Sequence, residues 1–183
     1  MFKYPLVVTI DTNIFDAAKY NLSDASTLRI LENHVKSGKI KVVLSDIVVQ
    51  ESKRHIAARV KEVCGIVNIA RNSALKVYNE HLISSIGMNE MFRIVESEDD
   101  IIAKEEKVFD DFLCAIDAEI LGTDLIDINS VLSDYFGAKP PFEESGKKKS
   151  EFPDAFIAQQ IRNRFGETEA TELLQSILSL QRG

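Results

Sequence analysis

The feature that most constrains this chain is the short segment Val7–Phe15, in which a β-branched run ends abruptly at an aspartate. The run is followed by Asp11 and then by Thr12 and Asn13, whose side chains suit the start of a helix. This order is typical of a buried parallel strand that passes directly into a helix. Because the carboxyl ends of such strands face the ligand crevice of an open sheet, Asp11 is either a helix cap or a site residue.

A second β-branched run, residues 40–44, follows a helical segment that ends near Gly38. Strand, helix and strand in this order predict parallel pairing with a right-handed crossover. Ser45 is suited to cap the following helix, with Asp46 in its first turn. Since 183 residues suit one domain, we expect a single α/β domain over residues 1–183.

Two long helical patterns fill the middle of the chain. The first continues from the helix after Ser45 to about Tyr78 or Leu82, with apolar residues at alternating steps of four and three. The second begins at Ser97 and the acidic residues 98–100 and ends at Gly122. We predict that residues 52–122 form an inserted antiparallel helical hairpin that packs internally. The apolar positions are Ile56, Val60, Val63, Val67, Ala70, Ala74 and Val77 in the first pattern, and Ile101, Val108, Phe109, Phe112, Ile116 and Ile120 in the second.

Two acids, Glu51 and Asp154, lie on the apolar faces of helices, close to the point where each helix begins. An inward carboxylate must be paired, protonated or bound to a metal, and Glu51 has Arg54 as an alternative ion-pair partner. Together with Asp11, these acids would form a carboxylate cluster at one edge of the sheet. Because clustered carboxylates repel one another, a hard divalent cation with oxygen ligands, Mg²⁺ or Mn²⁺, is the expected occupant.

Charge and composition limit the classes of function. The formal charge of −7 argues against a protein that coats nucleic acid nonspecifically, although an enzyme with a metal site needs such acids. The loop over residues 138–149 ends in three lysines, which either contact phosphates or form a solvated surface. The cysteines, Cys64 and Cys114, lack metal-binding spacing, so we expect them to pack as small apolar residues in a reduced, cytoplasmic protein. We expect neither a signal peptide nor a membrane span.

Three segments, taken in order, resemble the successive motifs of PIN domains: residues 10–15, 45–51 and 148–156. They read Ile-Asp-Thr-Asn-Ile-Phe, Ser-Asp-Ile-Val-Val-Gln-Glu and Lys-Lys-Ser-Glu-Phe-Pro-Asp-Ala-Phe. The last of them is similar to a bacterial PIN-like group with a Glu-Phe-Pro-Asp-Ala helix start. The resemblance covers about residues 5–165 and implies a PIN-like (Rossmann-like) parallel sheet flanked by helices. It also implies a metal-dependent endoribonuclease that cleaves single-stranded RNA.

By motif match, the resemblance implies that Asp11, Glu51 and Asp154 are catalytic metal ligands, and that Glu151 is an accessory ligand. The Mg²⁺ or Mn²⁺ ion would orient a water for attack on the phosphodiester bond. The residues expected to support the first acid or to contact the RNA are Thr12, Asn13, Arg54, Lys147, Lys148 and Lys149, with Lys53 and Arg59 as further phosphate contacts.

The C-terminal part departs from the family. PIN domains continue after the third acid with a strand that ends in a fourth acid, and then with a final strand. Here residues 166–183 predict an atypical helix instead. In the family the absent strand lies beside the first strand, whose edge would therefore be open. The last helix, a partner chain such as a second copy, or a truncated sequence would each account for this.

Two other functions stay open at this point. One is an interaction and assembly module, a PIN-like scaffold that has lost catalysis together with the fourth acid. The other is a small-molecule phosphatase. This interpretation is weaker. One common class of phosphatase carries an Asp-x-Asp nucleophile motif, whereas here Asp11 is followed by Thr12 and Asn13.

Overall fold

The computed structural model describes residues 4–23, 26–77, 79–85, 87, 96–142, 151–166 and 170. The chain divides into two compact units, one formed by Met1–Ser52 with Asp111–Gly183 and the other by Lys53–Asp110. The first unit contains a parallel sheet. The second contains the greater part of two long helices.

Among the residues that the structure describes, three short parallel strands form the sheet of the first unit. They are β1 (Leu6–Val8), β2 (Ile40–Ser45) and β3 (Glu119–Leu121), in the order β1-β2-β3. The register places Leu6 opposite Ile40, and Leu121 opposite Ser45. The residues of β2 from Val42 onward are buried, as is usual for a central strand of a parallel sheet that is covered on both faces. The predicted parallel α/β fold is confirmed.

Helices and one 3₁₀ turn connect and flank the strands. Ser45 Oγ accepts a hydrogen bond of 3.0 Å from the Ile47 amide, which is the cap predicted for the helix after β2. That helix is 32 residues long, in agreement with the long apolar pattern. None of the helices within the described ranges is long and apolar enough to cross a membrane. The bounds are α1 Thr12–Ala17, α2 Arg29–Lys36, α3 Asp46–Val77, α4 Glu80–Ser85, α5 Glu98–Ala115, the 3₁₀ turn Thr123–Leu125, α6 Ile128–Phe136 and α7 Phe152–Phe165.

The second long helix ends earlier than the sequence predicted. Helix α5 ends at Ala115, and residues 119–121 form β3 instead of continuing a helix to Gly122. Asp117 adopts a left-handed backbone conformation with φ of 47°, which interrupts the helical path. Ile120 is exposed and Leu121 is buried, as expected for successive residues of a strand. The spacing of the apolar residues matched a helical stripe equally well, which explains the error.

The arrangement of residues 52–122 as an inserted hairpin stays a prediction, with β3 as the correction at its end. Within the second unit, Lys53 Nζ lies 2.7 Å from Asp110 Oδ2. Ile56 and Phe109 are buried. Cys64 is buried as expected, whereas Cys114, in the first unit, is exposed, so the expectation that both cysteines pack in the interior was wrong.

Helix α7 packs against the sheet of the first unit. Its Ile161 shares a buried apolar cluster with Val43 of β2, Leu121 of β3 and Ala170. Ala170 belongs to the segment 166–183, for which an atypical helix was predicted. Apart from Gly166 and Ala170, that segment lies outside the described residues, and so do Lys147, Lys148 and Lys149.

Candidate active site

The first site residue, Asp11, follows β1 and caps helix α1. Its Oδ1 accepts a hydrogen bond of 2.8 Å from the Thr12 amide, and its Oδ2 accepts one of 2.8 Å from Asn13 Nδ2. Both carboxylate oxygens are therefore held by the next two residues of the chain. The capping interpretation of Asp11 is correct, and a carboxylate oxygen can accept a further bond beside a capping one.

The second acid, Glu51, is linked to the first motif through Thr12. Thr12 is only 5% exposed, and its hydroxyl donates a hydrogen bond of 3.2 Å to Glu51 Oε2. Glu51 is half-buried in α3, five residues after that helix begins at Asp46. The contact brings the start of α1 next to the second motif.

The other two acids lie at the start of α7. Glu151 precedes the helix, Pro153 occupies its first turn, and Asp154 follows in the same turn. Although the Asp154 residue keeps exposed surface, the surrounding protein removes part of the hydration of its carboxyl group, and this raises its pKa. The negative charges of Asp11, Glu51 and Glu151 raise the pKa of Asp154 further.

The structure thus brings together the four acids that the sequence predicted. Asp11, Glu51 and Glu151 all lie close enough to Asp154 for their charges to disfavour its ionised form. They converge where β1 and β2 end, which is the ligand side of an open parallel sheet. Within the described ranges, no three His, Cys, Asp or Glu side chains are arranged so that they could hold a metal ion. The acids therefore share one region without forming a preformed ligand shell.

The structure describes only some of the residues that were predicted to contact the substrate. Thr12 and Asn13 lie beside the acids. The Thr12 side chain contacts Glu51, and the Asn13 side chain contacts Asp11. Arg54 is an exposed residue of the second unit. Lys53 forms an ion pair with Asp110.

Two residues that the sequence did not single out as a pair are joined next to this region. Gln160 of α7 is fully buried, and its Nε2 donates a hydrogen bond of 2.7 Å to Oδ1 of Asp46, the first residue of α3. The same nitrogen lies 3.1 Å from the carbonyl oxygens of Leu121 and Gly122. The sequence offered only a weak signal for Gln160, namely its position beside Ile161 on the buried side of α7.

A group of aromatic rings adjoins the start of α7. The Phe152 ring, between Glu151 and Asp154 in sequence, lies with its centroid 5.2 Å from that of Tyr135. Tyr135 in turn lies 5.2 Å from the ring of Phe136, which is 79% exposed at the end of α6. The rings form a continuous path from the acid-bearing turn to the surface.

Fold and site together define an α/β domain with a parallel sheet and clustered carboxylates at its ligand side. The family model described as PIN domain matches residues 8–171, so the chain belongs to the PIN domain family. PIN domains are typically nucleases, which are hydrolases, and they usually use divalent metals. No curated protein and no solved structure matches the chain. The predicted absence of the C-terminal strands and of the fourth acid stays a prediction.

Proposed function

We propose that this protein is an endoribonuclease that uses Mg²⁺ or Mn²⁺ to hydrolyse phosphodiester bonds in single-stranded RNA. The observation that carries the proposal is the raised pKa of Asp154 in a PIN domain, caused first by burial and then by the nearby charges of Asp11, Glu51 and Glu151. Four carboxylates in one region are unfavourable without a cation. An unneutralised cluster at the ligand side of the sheet is what a site for a divalent cation requires.

The donor set fits a hard divalent cation by its chemistry, because all four groups supply oxygen ligands. Asp11, Glu51 and Asp154 would hold the ion, with Glu151 as an accessory ligand. When bound, such an ion lowers the pKa of a water and neutralises charge on phosphate oxygens. The residues fit the ion by type and by their repulsion rather than by a preformed ligand geometry.

The neighbours of the acids orient them for this role. Asn13 and the Thr12 amide hold the two oxygens of Asp11, and the Thr12 hydroxyl holds one oxygen of Glu51. Hydrogen bonds to ligand side chains fix their direction and are usually needed for full metal affinity. The two polar residues that follow Asp11 therefore link the first acid to the second.

A preference for unpaired RNA is supported by the exposed Phe136 ring. Aromatic side chains stack on bases that are free of a duplex, and this stacking tolerates any sequence. The ring contacts from Phe136 through Tyr135 to Phe152 connect this surface to the turn that carries Glu151 and Asp154. Arg54 and Lys147–Lys149 would contact the RNA phosphates.

The test is cleavage of an end-labelled single-stranded RNA by the full chain with Mn²⁺. Wild type is compared with Asp11→Asn and with Glu105→Gln, which removes one exposed carboxylate of α5 as a charge control. We expect cleavage by wild type and by the control, loss of cleavage in EDTA, and a loss of about a hundredfold or more in Asp11→Asn, because removing even a group that only orients a metal ligand costs about 10–100-fold. Equal cleavage by wild type and Asp11→Asn would refute the proposal.

A second candidate function is assembly through the edge of β1 that has no strand partner among the described residues. Within the described part of the chain, β1 pairs with β2 on one side, and Leu6 of β1 and the preceding Tyr4 are exposed. An unpaired strand edge is a template for another strand. We propose a second copy of this chain as the partner at this edge, and this role is compatible with catalysis at the acids.

A further inference from the structure

The strongest feature outside the acids is the buried amide of Gln160. Its Nε2 has three acceptors in reach: Asp46 Oδ1 at 2.7 Å and the carbonyl oxygens of Leu121 and Gly122 at 3.1 Å. Its Oε1 has no hydrogen-bond partner among the described residues. Turning the amide over would face Oε1 towards three other oxygens, so the chemistry of the surroundings fixes its orientation. Gln160 acts here as a donor only.

These acceptors belong to the elements that carry or border the acids. Asp46 opens α3, and Glu51 lies five residues further on, about 7.5 Å along the helix axis. Leu121 is the last residue of β3, and Gly122 follows it. Gln160 itself lies on α7, the helix whose first turn holds Asp154 and follows Glu151. One side chain therefore joins the two acid-bearing helices and the end of a strand.

The neighbouring Gln159 shows that a buried glutamine in α7 need not do this. Gln159 is also buried, yet no hydrogen bond of its side chain to Asp46 or to the end of β3 is present, and its Oε1 is without a partner in the described chain. The bond from Gln160 differs because its acceptor is a carboxylate, and bonds to charged acceptors are the strong ones. Two adjacent residues of one type thus provide a natural comparison.

We propose that Gln160 is a positioning residue, whose amide ties α7 to the start of α3 and to the end of β3 and thereby sets the placement of Glu151 and Asp154 relative to Glu51. The expected effect on metal binding rests on the proposed function. The geometric part, the relative placement of α7 and the first turns of α3, is independent of any metal.

The experiment uses the full chain in four variants. Gln160→Met removes the amide and keeps the length of the side chain, and Gln159→Met makes the same change at the neighbouring position. Asp46→Ala removes the acceptor, whereas Asp46→Asn keeps an acceptor oxygen and loses the charge. Residual dipolar couplings of amides in α7 and in residues 46–52 report the angle between the helices without metal. Electron paramagnetic resonance of Mn²⁺ gives the affinity, and thermal unfolding gives the stability of each variant.

We expect Gln160→Met and Asp46→Ala to change the angle between the helices and to weaken Mn²⁺ binding by about 10–100-fold, the usual effect of losing a group that orients ligands. Gln159→Met should stay close to wild type in both measurements, and Asp46→Asn, which keeps an acceptor but loses its charge, should fall between wild type and Asp46→Ala. An unchanged angle between the helices in both Gln160→Met and Asp46→Ala would overturn the proposal. It would also be overturned if Gln159→Met, at the same loss of stability, changed the angle and the Mn²⁺ affinity as much as Gln160→Met does. If Gln160→Met does not fold, the comparison of Asp46→Ala with Asp46→Asn tests the proposal instead. If wild type binds no Mn²⁺, the metal site is refuted and the angle alone decides the role of Gln160.

Discussion

The hydroxyl of Thr12 donates a hydrogen bond of 3.2 Å to Oε2 of Glu51, a residue 39 positions further along the chain. Thr12 is buried, and its amide also holds Asp11. One residue therefore contacts the first acid through its backbone and the second acid through its side chain.

This relationship predicts a loss of function when the hydroxyl is removed. Thr12→Val keeps the shape of the side chain and deletes the bond to Glu51. We expect kcat/KM for RNA and the affinity for Mn²⁺ to fall by about tenfold, at the lower end of the effect of losing a group that orients a ligand. The matched control is Thr12→Ser, which retains the hydroxyl and should preserve most of the activity. Equal kinetics of Thr12→Val and wild type would show that the bond does not position Glu51.

The raised pKa of Asp154 predicts how the metal-free protein responds to pH. Because the folded state holds the proton of Asp154 more tightly than the unfolded chain does, the stabilising contribution is complete below the ordinary pKa of 3.8 and is lost as the pH rises through the raised value. At neutral pH the charged Asp154 opposes folding. Asp154→Asn should therefore raise the Tm in EDTA at pH 7.5, and the gain should shrink on acidification.

Addition of Mn²⁺ should reverse this order. A metal that binds the folded state stabilises it, and wild type has the ligand that Asp154→Asn lacks. Differential scanning fluorimetry with and without Mn²⁺ measures both effects, with Glu105→Gln as the charge control. A lower Tm of Asp154→Asn in EDTA at pH 7.5 would contradict the repulsion among the four acids.

The local sequence predicted the elements whose signals are local. Asp11 at the end of a β-branched run, Ser45 before α3 and the long apolar pattern of α3 all depend on residues within a few positions of one another. The structure has β1, β2 and α3 where these signals lie. The convergence of Glu51 and Asp154 on Asp11 was predictable because their positions on helices, and the family motifs, point to the same edge of a parallel sheet.

The features that could not be predicted from the sequence depend on contacts between residues far apart in the chain. Strand β3 is three residues long, and its pairing with β2, rather than its own pattern, makes it a strand. The bond from Gln160 to Asp46 joins residues 114 positions apart. A glutamine in a helix is usually exposed, so burial at this position could not be predicted without the fold.

Glu119 predicts a second and opposite pH effect. It accepts a hydrogen bond of 2.5 Å from Arg164 Nε and pairs with Lys41 Nζ at 2.5 Å, and these bonds, the one from Arg164 foremost, lower its pKa. Its stabilising contribution is present above the ordinary pKa of 4.5 and is lost as the pH falls through the lowered value. Glu119→Gln should cost about 1 kcal/mol at pH 7, typical of surface ion pairs. Urea unfolding at pH 7 and near pH 3 measures this, and a loss that persists in acid would contradict it.

The exposed Phe136 ring predicts a separable effect on substrate binding. Phe136→Ala should weaken binding of single-stranded RNA by about tenfold, because stacking of a base on an aromatic ring contributes about 1–3 kcal/mol. The value of kcat should change little, since the ring would bind a base and supplies no ligand to the metal. Leu132→Ala, an exposed apolar residue of the same helix, is the control. Equal losses in both variants would indicate an apolar protein surface on α6 instead of a base-stacking position.

The edge of β1 that is unpaired within the described ranges predicts self-association. If a second copy pairs with this edge, light scattering after size exclusion should give a dimer, and Leu6→Lys should give a monomer because a lysine on an edge strand disfavours pairing. Leu6 suits the test because its side chain is exposed. Ile128→Lys, which places the same charge on an exposed position of α6, should remain a dimer. A monomeric wild type would exclude a second copy at this edge, and loss of the dimer in Ile128→Lys alone would place the interface on α6.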